Sequence, residues 1–69
     1  MPTFCELLEK AITDEKEAIK GYEELEKIEN LYPTKIDGIK VNDLIIIPIK
    51  KDEEKHLETL KELKEGVCK

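Results

Sequence analysis

Arginine, serine, glutamine and tryptophan are missing from this chain, histidine and phenylalanine occur once each, and aromatic residues make up only 4% of it. All 12 basic residues are therefore lysines; they alternate with glutamates, and the net charge is −5. No basic stripe of the kind a phosphate backbone requires can form, so nucleic acid is excluded as a partner. No apolar run approaches the roughly 18 residues of a membrane span, and Met1-Pro2-Thr3 leads straight into an acidic amphipathic segment instead of a secretory leader. The expectation is a soluble cytoplasmic protein with no membrane partner. The two cysteines, Cys5 and Cys68, make no C-x-x-C, which removes a zinc knuckle or a rubredoxin-type iron site within the chain. Two readings of them stay open: a disulfide between chain ends that a hairpin would bring together, or two free thiols. Abundant Lys, Glu and Ile fit thermophile proteins and an AT-rich genome equally.

What is present is periodic. Charged residues reach 42%, yet the apolar ones recur at helical spacing instead of being diluted evenly, as they would be in a disordered chain. Residues 1–69 read as a single domain. A core this small rarely supplies more than about 3–5 kcal/mol by itself, so oligomerisation or bound metal is expected to add stability. The first helix is predicted over about residues 3–30: Thr3 with Glu6 forms a capping-box pattern, and Asn30 with Pro33 stops it. At about 100° per residue, Phe4, Leu8, Ala11, Glu15, Ala18, Tyr22 and Leu25 share a stripe, with Ile12 and Ile19 on its flank. The second helix is predicted over about 48–66, with Ile49, Glu53, His56, Leu57, Leu60, Leu63 and Val67 on one face and Gly66 as its stop. The connecting segment 31–47 is rich in β-branched isoleucine and reads as extended or hairpin-like, turning at Asn42-Asp43 after an Asp37-Gly38 turn. Its alternative is a longer second helix, capped by Asn42 or Asp43 and kinked at Pro48. The fold class expected is all-α: an antiparallel helical hairpin that dimerises into a four-helix bundle.

Glu15 and Glu53 sit where apolar residues belong, and a buried carboxylate without a partner costs several kcal/mol. Such placement calls for a cation. In Glu53-x-x-His56 the spacing of three sets both side chains on one face about one turn apart, able to bind one ion. Aligning Glu15 with Glu53 leaves comparable helix lengths on either side. One hairpin then offers two carboxylates and one imidazole, and doubling it about a two-fold axis gives four Glu and two His, the ligand set of a dinuclear carboxylate bundle. Ala11 and Ala18 flank Glu15 by about one turn and leave room for metal. Glu17 and Glu54 lie off the inner stripes and read as solvated, the other reading being auxiliary metal ligands.

The string from Ala11 to Tyr22, with Tyr22 seven residues after Glu15, followed by Asp52-Glu53-Glu54-Lys55-His56, resembles half of a ferritin-like di-iron domain of the rubrerythrin or bacterioferritin type. A two-helix protomer that completes its site by dimerising also resembles the encapsulated ferritins. The resemblance implies Glu15 as a terminal carboxylate, Glu53 as one bridging two irons, His56 as the nitrogen ligand, and Tyr22 as a hydrogen-bonding neighbour. It further implies that Asp52 orients the imidazole across the bundle. The chain departs from the family in lacking a second hairpin, a rubredoxin module and a cage-forming helix. The resemblance covers both helices and not the middle segment.

Carboxylates with limited imidazole favour iron, with manganese or zinc as the other choices. The assembly expected is a homodimer or a higher assembly of dimers, and the cofactor expected is two iron ions per dimer. The function expected is an oxidoreductase that oxidises Fe(II) with O2 or H2O2 at an intersubunit site, in which Glu15, Glu53, His56 and Tyr22 carry the chemistry. One alternative is peroxide reduction with an external electron donor. Another is a non-catalytic metal-binding or helical dimerisation module, to which the apolar run Leu44 to Ile49 points.

Overall fold

A computed structural model describes residues 2–68. The helix α1 runs Phe4–Leu31, the strands β1 and β2 are Lys35–Ile36 and Ile39–Lys40, a wide π-type turn occupies Asn42–Ile46, and α2 follows directly over Ile47–Val67. The result is an antiparallel helical hairpin, a rod of 48 × 17 × 15 Å. Thr3 caps α1: its Oγ1 accepts from the Glu6 amide at 3.1 Å, satisfying one of the donors that a helix start leaves free. Pro33 lies just beyond the end of α1, where its missing N–H and fixed φ forbid further helix.

The middle segment divides between its two readings: residues 35–40 form a short hairpin, while the isoleucine-rich stretch from Asn42 on is helical and lengthens the second helix up to and through Pro48, against the extended reading of that stretch. Asp37 and Gly38 have φ of 52° and 80°, the left-handed pair of a two-residue hairpin turn, and Lys35 pairs with Lys40 and Ile36 with Ile39. Asn42-Asp43, expected to be the turn, instead opens the second helical stretch. Asp-Gly wins because glycine takes positive φ without steric cost. Pro48 explains the wide turn before it: in a regular α-helix its ring would press on the Leu44 carbonyl four residues back. Widening the winding relieves that contact, and the Ile47 amide bonds Asn42 O, five residues back.

Little of the hairpin is dry. Among the described residues only Leu8, Ile12 and Ile46 are buried apolar side chains, and Asn42, 3% exposed, is the buried polar one. Much of the seam between the helices is polar. Lys50 Nζ meets Glu26 Oε2 at 2.6 Å, and Lys64 pairs with Glu9. Ile49, Leu63 and Val67, expected to face inward, are 37%, 41% and 57% exposed, and Phe4 and Leu25 of α1 are 58% and 51% exposed. The second stripe on each helix is rotated from the inner one by roughly a quarter turn in the same angular sense. Antiparallel helices wind oppositely when viewed from one end, so both exposed stripes fall on one side of the hairpin. No helix among the described residues is long and apolar enough to cross a membrane.

Of the two readings of the cysteines, the structure takes the bridged one: Cys5 and Cys68 form a disulfide, with Cα atoms 5.9 Å apart and 63 residues of separation. Closing so long a loop restricts the unfolded chain by about 4 kcal/mol in the chain-entropy treatment. That is a large share of what so thin a core supplies. Reduction, or a Cys5→Ala/Cys68→Ala variant, is expected to lower the unfolding free energy by about 2–4 kcal/mol, read as a lower urea midpoint by circular dichroism.

Candidate metal centre

Glu15 lies near the middle of α1, between the buried Ile12 and the half-buried Ile19 on the inner stripe. Glu53 occupies the matching inner position of α2, one turn before Leu57, and is likewise half-buried. His56 is exposed and sits on the second stripe, seven residues from both Ile49 and Leu63. The three side chains converge: one ligating atom of each lies within 4.8 Å of the others. A single metal ion can reach all three from one position of this size.

The electrostatics set this cluster apart from the rest of the seam. Glu9 and Glu26 of α1 each meet a lysine of α2, whereas Glu15 faces another carboxylate. Its Oε2 is buried without any hydrogen-bond partner. The Glu15 carboxyl is held above the ordinary glutamate value, chiefly by a hydrogen bond shared with Glu53, then by burial, then by the negative charge of Glu53. The nearby His56 opposes this and Asp14 adds to it. Two facing acids with an imidazole at the rim form either a proton-sharing pair or, with the proton displaced, a cation site.

Tyr22 and Asp52 are not part of the converging trio. Tyr22 stands seven residues beyond Glu15, about 10 Å along the axis, and is half-buried in a groove of about 440 Å3 lined also by Ala18, Gly21, Glu24, Leu25 and Ile28. Asp52 and Glu54 are exposed, as is Glu17. Asn42 was read as a turn or capping residue, yet its side chain makes no cap. It donates from Nδ2 to the Glu26 carbonyl and to Asn30 Oδ1 of α1, both at 3.0 Å. The sequence signal for this was the polar pair Asn42-Asp43 heading an apolar run, which fits a buried asparagine as well as a cap.

Comparisons of the chain with protein-family models, with curated proteins and with solved structures find no match. The functional reading therefore rests on the geometry.

The raised Glu15 value carries a definite sign. The folded metal-free protein binds this proton more tightly than the unfolded chain, so the contribution is fully present below the ordinary value of 4.5 and is lost as pH climbs through the raised one. Urea midpoints measured in chelator should fall as pH rises above 4.5, and Glu15→Gln should flatten that fall. A slope unaltered by Glu15→Gln would assign the pH dependence to other groups.

Proposed function

We propose that two copies of this hairpin associate through the face bearing the exposed stripes, and that Glu15, Glu53 and His56 of each copy together hold a pair of iron ions that are oxidised by O2 or H2O2. The observation that carries this reading is the convergence of two carboxylates and one imidazole on a seam whose other facing acids have lysines. The donor set fits. Oxygen-rich coordination with one imidazole per half suits iron or manganese better than the four-coordinate nitrogen and sulfur sites of structural zinc, and the unpartnered Glu15 Oε2 is an acceptor whose burial a cation would offset.

A dimer supplies what the protomer lacks. Phe4, Leu7, Leu25, Leu63 and Val67 each keep more than 40% of their surface exposed, and the broad side of a rod of these dimensions spans roughly 800 Å2, about what each partner gives to a standard interface. His56 would pass from an exposed rim to the inside of a bundle. Two ferrous ions held there would supply the two electrons that reduce peroxide to water. The chain's own part would be to position them: Glu15 and Glu53 would neutralise charge, His56 would add a nitrogen donor, and Asp52 would orient an imidazole across the bundle. Tyr22 would bound the cavity on the groove side.

Anaerobic Fe(II) titration followed by oxidant tests this. The dimer should take up two irons and develop a ferric absorbance, and Glu53→Ala or His56→Ala should weaken uptake by more than about tenfold. A chain that stays monomeric and binds no iron would overturn the reading. The exposed apolar side chains also favour a second, non-catalytic reading as a dimerisation module, to which a metal-free dimer without oxidant reactivity would point. Rapid peroxide turnover with reduced rubredoxin as donor would instead make the protein a peroxide reductase.

A further inference from the structure

Helices packed along a half-polar seam can slide past each other by one turn without losing much contact, because leucine and isoleucine recur at three-to-four spacing on both. Such a slip moves one helix by about 5.4 Å, more than the 4.8 Å that spans the Glu15, Glu53 and His56 ligand atoms. The site therefore needs its two helices held at one relative height. Two tethers flank it. The disulfide lies 10 residues before Glu15 on α1, roughly 15 Å along the axis. On the other side Asn42 stands 11 residues before Glu53, roughly 16 Å away.

Asn42 is suited to the task by chemistry that the neighbouring apolar residues lack. Its Nδ2 reaches a backbone carbonyl, that of Glu26, and the side chain of Asn30 one turn on, both at 3.0 Å. A backbone acceptor marks an axial position that no change of rotamer can shift. The group is 3% exposed, so water cannot replace the bond if the helices slide, and its Oδ1 is left without a partner. An apolar residue would fill this space without that unsatisfied acceptor. Single buried asparagines are known to select register between packed helices at some cost in stability. We propose that Asn42 is a positioning residue: it sets the axial register of α2 against α1 and so keeps Glu53 and His56 level with Glu15. As a contribution to a metal centre, this role rests on the function proposed above.

The test uses the Cys5→Ala/Cys68→Ala chain, in which Asn42 is the remaining tether, with nitroxide labels on cysteines placed at the exposed positions Lys20 and Lys51. Asn42→Leu should keep the helix content but broaden or shift the label separation by about one turn, and cobalt(II) affinity should fall at least tenfold with loss of a single set of visible bands. Asn42→Thr, which retains a donor for the carbonyl, should fall between. A label separation and cobalt affinity both unchanged within twofold would overturn the proposal. If Asn42→Leu loses helix content without the disulfide, cobalt affinity is compared in the bridged chain, where a several-fold drop supports the role and an unchanged value removes it. Failure of the unsubstituted chain to bind cobalt or iron would count against the metal centre, while the label separation still decides whether Asn42 sets the register.

Discussion

Two carboxylates facing each other across the helix seam, Glu15 and Glu53, impose the constraint on which the rest depends. Elsewhere the seam meets acid with base, as in Glu26 with Lys50 and Glu9 with Lys64, and the arrangement is electrostatically ordinary. At Glu15 two carboxyl groups meet, one oxygen is buried without a partner, and the group's proton affinity is raised above that of an ordinary glutamate. A chain with so few buried apolar residues gains nothing in folding from such a pair. In the function proposed above, a cation bound between the two acids offsets that cost.

The same economy explains the disulfide and the buried asparagine. Three buried apolar side chains cannot alone keep two long helices at one height. Cys5 with Cys68 acts at one end, through a covalent bond, and Asn42 at the other, through hydrogen bonds to α1. Between them the helix positions that would otherwise be core are given to Glu15, Glu53 and their neighbours. The exposed stripe on each helix is the complement of that choice: apolar side chains that the hairpin does not bury stay at its surface.

Much of the site was legible because helical periodicity is local. Glu15 on an apolar stripe and Glu53-x-x-His56 on one face follow from 3.6 residues per turn, and comparable helix lengths on either side make a level pairing of Glu15 with Glu53 possible without fixing it. His56 shows where that reasoning stops. Periodicity grouped it with Leu57 and Leu60, but did not say that a protomer of two helices can cover only one side of each, leaving His56, Ile49 and Leu63 on the open flank. The hairpin turn was misplaced because Asn-Asp and Asp-Gly both favour turns. Only the competition between them, decided by the freedom of Gly38 at φ 80° and by the demand of Pro48 for a widened turn, selects one.

By itself the sequence determined the two helices, the Thr3 cap of the first and the candidate donors, all of which depend on contacts within a few residues; the expected stops Asn30 and Gly66 lie inside their helices, which run on to Leu31 and Val67. Tertiary structure alone decided that Cys5 meets Cys68, that Asn42 turns inward to α1 instead of capping its own helix, and that Glu15 faces a carboxylate where its neighbours face lysines. Those outcomes depend on which residues of one helix stand opposite which residues of the other. No local preference encodes that pairing; it is settled by packing and register over the whole length of the hairpin.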